Sequence, residues 1–229
     1  MPLPTHRLPL WSAALLAACL CSSALQAAQP LSPALQSELD RAVLEYESGR
    51  TASARTAFES LAQRGVPVAQ YNLGVMHLRG ELPHPDPAAG LRWLKRAAEG
   101  GFVTAQFMLG QVYERGDLEP RDLTLANRWY ALSAESGSVE GAVAIGTAFY
   151  LGRGAPKDPA QAARWYREAA KGGDVGAQYL IASMYESGDG VEQDLRLARY
   201  WYDVAARNGD QAAPGKVKEI DGKLAATPS

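Results

Sequence analysis

Tryptophan recurs every 36 residues through most of this chain, at Trp93, Trp129, Trp165 and Trp201. The text around it recurs too: ANRWYALSAESGS, ARWYREAAKGGD and ARYWYDVAARNGD each surround one of these tryptophans. Asp86, Asp122, Asp158 and Asp194 keep the same interval, as do Gly101, Gly137, Gly173 and Gly209, and Gly80, Gly116, Gly152 and Gly188. A period of this length, held without insertion, means that one supersecondary unit is stacked several times. That single constraint excludes most ordinary domain folds.

Each column has a physical role. The stretches VAQYNLGVMHL and TAQFMLGQVYE put Ala69, Leu73 and Met76, or Ala105, Leu109 and Val112, along one face of a helix. A Gly/Pro turn such as GRGAPKD follows, and the Asp column then stands where it can cap a second helix. Pro87 and Pro159 directly follow their Asp, at the first helical position, and Gln161 completes a capping box with Asp158. The second helix carries the Trp and a small pair, Ala97–Ala98, Ser133–Ala134, Ala169–Ala170 or Ala205–Ala206. These pairs are expected to meet Gly74, Gly110 and Gly146 at a close helix contact. The closing Gly can take positive φ and stop the helix. A single hairpin cannot bury its Trp, whereas stacked hairpins can, and each buried aromatic contributes about 1.5–3 kcal/mol. The predicted architecture is an all-α solenoid of helix hairpins.

Four full units run over residues 66–101, 102–137, 138–173 and 174–209. Residues 30–65 read as a shorter hairpin without the Trp, and 210–229 as a polar capping helix and tail. Residues 1–27 read as an export signal: Arg7 precedes the apolar run LPLWSAALLAACL, too short to span a membrane. Two processing routes stay open. Leu25-Gln26-Ala27 can end a cleaved secretory peptide, while Leu16-Ala17-Ala18-Cys19 resembles a bacterial lipobox, with a signal over 1–18 and a lipid anchor at Cys19. Both cysteines, Cys19 and Cys21, lie in this segment, so the mature repeats carry no disulfide framework or thiol nucleophile. A net charge of −2 excludes a basic nucleic-acid footprint.

The pattern A-x-x-x-L-G-x-x-Y, a Gly turn, then D-x-x-x-A-x-x-W-Y-x-x-A-A-x-x-G resembles the Sel1-like repeat family, relatives of tetratricopeptide repeats. GRGAPKDPAQAARWYREAAKGG and GDGVEQDLRLARYWYDVAARNG display it most fully. The resemblance implies a right-handed superhelix that serves as an adaptor for proteins, often in bacterial envelopes. His77 and Phe149 depart from the usual Tyr, and Ala182 from the usual Gly. One branch of the family carries a disulfide in every repeat and is linked to β-lactam binding; no repeat here contains cysteine, so that activity is not carried over.

In hairpins of this kind the first helix lines the concave face. Mapped by spacing, three rows result: Tyr71, Phe107, Val143 and Tyr179; then Val75, Gln111, Thr147 and Ser183; then Leu78, Glu114, Tyr150 and Glu186, with Arg79 and Arg115 alongside. The partner-binding candidates are Tyr71, Phe107, Gln111, Glu114, Arg115, Tyr150, Tyr179 and Glu186, groups able to hold an extended peptide or helix of another envelope protein. The competing assignment for Tyr71, Phe107 and Tyr179 is packing between hairpins.

Catalytic signatures are missing from the sequence. There is no G-x-S-x-G elbow and no phosphate-binding G-x-x-x-x-G-K-[ST] loop. His77 occupies the column of Tyr113 and Tyr185 and reads as a packed residue, and its spacing to His84 is not that of a metal pair. No cofactor is expected. The sequence therefore points to a non-enzymatic envelope scaffold in the periplasm or tethered to the outer membrane. The alternative is a carbohydrate or peptidoglycan binder organising cell-wall machinery.

Overall fold

The computed structural model describes residues 31–226, which form eleven helices and no strand. The export segment, with Arg7, Cys19 and the candidate cleavage sites, lies outside the described residues. The helices are α1 (Pro33–Glu47), α2 (Thr51–Gln63), α3 (Pro67–Leu78), α4 (Pro87–Glu99), α5 (Val103–Arg115), α6 (Leu123–Glu135), α7 (Val139–Leu151), α8 (Pro159–Lys171), α9 (Val175–Ser187), α10 (Leu195–Arg207) and α11 (Ala213–Ala226). Each packs chiefly on its neighbours in sequence, from α1 on α2 to α10 on α11. The chain is thus an all-α solenoid of five hairpins with α11 laid on the last.

The Asp column caps the second helices as its spacing predicts. Asp86 accepts from the Ala88 and Ala89 amides, Asp122 from Leu125, Asp158 from Gln161, and Asp194 from Arg196 and Leu197, all at 2.9–3.1 Å. The reciprocal half of the capping box does not form, because the Asp158 amide donates to the Phe149 carbonyl at 2.9 Å instead. Asp122 and Asp194 donate in the same way to the carbonyls of Tyr113 and Tyr185. In the first unit the side chain takes over: His77 Nδ1 accepts from the Asp86 amide at 3.1 Å.

The deepest aromatic is the residue after each Trp. Tyr130, Tyr166 and Tyr202 are 4%, 3% and 0% exposed. Trp165 is also buried, whereas Trp93, Trp129 and Trp201 are half-buried against the core. This changes the partner of the glycine column. A Cβ on Gly110 would lie 2.6 Å from the Tyr130 ring, so the glycine makes room for tyrosine, not for the small pair. The small pair meets the following hairpin instead, where a Cβ on Gly141 would lie 2.9 Å from the Ala134 amide nitrogen.

Three further contacts bind unit to unit. Buried Gln70, Gln106 and Gln178 donate their side-chain amides to the carbonyls of Ala62, Ala98 and Ala170 at 3.1–3.3 Å. Each bond joins a first helix to the last turn of the helix before it and satisfies a carbonyl that the helix end leaves free. In the last two units the turn also sits on the preceding second helix. Gly154 and Gly190 take φ of +71° and +70°, and a Cβ would fall 2.5 Å from the Leu123 carbonyl and 2.2 Å from that of Pro159. Backbone meets backbone there, so no side chain fits.

Candidate functional site

The first helices α3, α5, α7 and α9 each show solvent a single stripe, one residue further round than the first expected row. In α5 it is Thr104, Met108, Gln111 and Arg115; in α7, Glu140, Ala144, Thr147 and Leu151; in α9, Gly176, Leu180, Ser183 and Ser187. The spacing of four, three and four keeps these residues on one side of an α-helix. Leu180 and Leu151 are 38% and 55% exposed. Gln111 and Arg115, both candidates from the sequence, stand in this stripe, with Arg115 paired to Asp117 at 3.3 Å. Asn72, Met108, Ala144 and Leu180 form a column that the expected rows omit.

The aromatic row is turned partly into the array. Tyr71 packs on Phe102, Phe107 on Tyr130 and Tyr179 on Tyr202, with ring centroids 5.1, 5.5 and 5.0 Å apart. Such pairs contribute about 0.5–1.5 kcal/mol beyond their buried area. All three rings are half-buried, so they support the floor of the stripe while keeping an exposed edge.

The third row forms polar locks at the ends of the first helices. Glu114 accepts from the Tyr130 hydroxyl at 2.7 Å and from Arg153, in the next unit's turn, at 3.0 Å. Burial first, and then the Glu114 carboxylate, raise Tyr130 well above an ordinary phenol. In the third unit Tyr150 replaces the acid, so Tyr166 pairs with Thr147 at 3.0 Å, while Lys157 lies 5.6 Å from the centre of the Tyr150 ring. In the fourth unit Glu186 accepts from Tyr202 at 2.9 Å, and Lys216 and Lys223 of α11 reach it at 3.2 and 2.8 Å. Glu186 is thus bound to the chain's own final helix. The Lys-containing segment was legible as a cap, but its electrostatic target was not.

Burial alone would raise Glu186, yet hydrogen bonds from Lys223, Tyr202 and Lys216 hold it below an ordinary carboxylate. A depressed folded value gives a definite sign. The contribution is complete above the ordinary carboxylate pKa of 4.5 and disappears as pH falls through the lowered value. Amide exchange in α11 should therefore accelerate selectively below about pH 4.5, and Glu186→Gln should flatten that dependence. Uniform acceleration across all units would contradict this local linkage.

Among the described residues, no group of three or more His, Cys, Asp and Glu side chains is placed to hold a metal ion. No helix among them is long and apolar enough to cross a membrane. The site is a surface of repeated stripes with polar locks along one edge, suited to contacting an elongated partner.

The Sel1 repeat family model matches residues 67–102, 103–138, 139–174 and 175–210. No curated protein sequence matches the chain. Among solved structures, a protective antigen present in uropathogenic Escherichia coli strains, displaying an SLR fold, is similar at 32% identity and TM-score 0.75 over 84% of this chain. The chain spans 42% of that protein's length. A Sel1 repeat protein from Oxalobacter formigenes is similar at 29% identity and TM-score 0.73, over 82% of this chain and 77% of that one.

Proposed function

Because the chain belongs to the Sel1 repeat family, whose members generally mediate protein–protein interaction, we propose that it is an adaptor holding another protein of the bacterial cell envelope. The family is typically a non-catalytic scaffold, and the adaptor reading requires no reaction at the surface. The observation that carries it is the exposed stripe, repeated unit by unit on α5, α7 and α9. Met108 and Leu180 offer apolar contact, Gln111, Thr147 and Ser183 offer hydrogen bonds, and Arg115 lies at the edge. An extended segment or helix laid across successive units would meet each of these in turn.

Placement in the periplasm, with or without a lipid on Cys19, rests on the pattern of residues 1–27. Intact mass of the protein from envelope fractions separates the two routes. A chain beginning at Ala28 supports simple export, and a diacylated or triacylated Cys19 supports tethering.

The interaction is tested by placing a photo-crosslinking residue at position 108 or 180, with controls at the exposed second-helix positions 128 and 168. One envelope protein should crosslink from the stripe and not from the controls. Met108→Glu or Leu180→Glu should then weaken that complex by about tenfold or more, as loss of a central apolar contact does. Crosslinks confined to the controls would place the binding face on the second helices. Retention on purified sacculi, with no crosslinked protein, would favour the glycan-binding alternative.

A further inference from the structure

Where the stripe crosses from the second full unit to the third, it opens into a crevice of about 140 Å³ between α6 and α7. The opening has a sequence cause. Ala144 and Ala148 line it, in columns that carry Met108 and Val112 one unit earlier and Leu180 and Met184 one unit later. Leu123 and Ala126 complete its apolar walls. The joint is otherwise closed as elsewhere, since the turn at Gly154 rests on Leu123 and Thr124 donates to the Gly154 carbonyl at 3.2 Å.

The polar lining is rich in acceptors and balanced in charge. Glu114 is already paired with Arg153 at 3.0 Å. An entering cation would face Arg153 and an entering anion would face Glu114, so a neutral group is favoured. Each Glu114 oxygen accepts one bond, from Tyr130 or from Arg153, and retains further lone-pair capacity. Asn127 is only 9% exposed; its NH₂ donates to the Arg153 carbonyl at 2.7 Å, while its own side-chain oxygen accepts no bond among the described residues. Thr147, a member of the exposed stripe, also borders the space. A guest therefore needs an apolar body and one neutral donor.

Size narrows the choice further. A cavity of about 150 Å³ with apolar walls accommodates a benzene ring. A hydroxyl or amide side chain as short as serine or asparagine would leave the walls empty, and the two rings of tryptophan would overfill them. We propose that this crevice receives the phenol ring of a tyrosine carried on an extended segment of the protein partner. The inference rests on the adaptor reading above and adds to it the chemistry of one anchor residue. Phenylalanine would fill the same space but leave the acceptors without a donor, and sites built around a donor discriminate against its loss.

The test uses p-cresol, the tyrosine side chain in isolation, and toluene, its phenylalanine counterpart. Titrated into the purified protein, p-cresol should shift the Ala144 and Ala148 methyl resonances saturably, with Kd of about 1 mM for so small a ligand. Toluene should bind about tenfold more weakly. Ala148→Met, which restores the residue type found at Met184, should abolish the p-cresol shifts while helical content and melting are retained. No saturable shift, or toluene binding as tightly as p-cresol, overturns the assignment. Neither probe requires a partner, so this readout stands apart from the crosslinking test. If stripe crosslinking persists and partner affinity is unchanged in Ala148→Met, the adaptor reading survives and the anchor proposal is overturned.

Discussion

Gly190→Ala should destabilise the array by about 3 kcal/mol, combining roughly 1–2 for a side chain in the left-handed region with about 1–3 for overpacking. Its Cβ would lie 2.2 Å from the Pro159 carbonyl oxygen, and neither backbone can yield without parting two units. In a chain of this size the melting temperature should fall by about 6–12 °C. Gly80→Ala is the matched control: its φ is +71°, but a Cβ there meets nothing within 4 Å. It should show the conformational cost alone. Thermal melts in which the two variants fall equally would mean that the turn does not hold the units together.

Tyr202→Ala should cost about 3–5 kcal/mol, the range for truncating a buried aromatic. Tyr202 is 0% exposed, lies 5.0 Å from Tyr179 ring to ring, and donates to Glu186 at 2.9 Å. Tyr202→Phe separates the ring from the hydroxyl and should cost only about 1 kcal/mol, because Lys216 and Lys223 still satisfy Glu186. Urea unfolding distinguishes them. Equal losses for Phe and Ala would make the hydroxyl, not the packed ring, the dominant contribution.

The parts legible in the sequence are those where one residue type has one local job. Asp before a helix caps it, and Gly after a helix stops it, whatever surrounds them; Gly101, Gly137, Gly173 and Gly209 indeed take φ of +82° to +102°. Which side of a helix meets solvent is harder to read. Tyr71 and Asn72 are one residue apart, about 100° of rotation, and that step moves an expected contact row from the surface to half-burial. A signal was present in the variation between units. The column Asn72, Met108, Ala144 and Leu180 changes character freely, while the adjacent Leu73, Leu109, Ile145 and Ile181 stay aliphatic and almost completely buried. The Trp column misled in the other direction. Its recurrence marks packing, but the following Tyr reaches deeper because Gly110 and Gly146 make room for Tyr130 and Tyr166.

Long-range ion pairs were out of reach for a different reason. Glu114 and Glu186 occupy one column, but their cations come from 39 residues onward in Arg153 and from 30 and 37 onward in Lys216 and Lys223. No local periodicity links those positions. Their comparison nevertheless gives the array a rule of succession. Each acid receives a cation from whatever follows it, be it another hairpin or the final helix, so α11 presents the fourth unit with the same charge that a further unit would bring. Lengthening or shortening the array by whole units then requires only that the newcomer carry one positive group at that place. The coupling between neighbours works as a standard fitting, and array length becomes a property that duplication can change without redesigning either end.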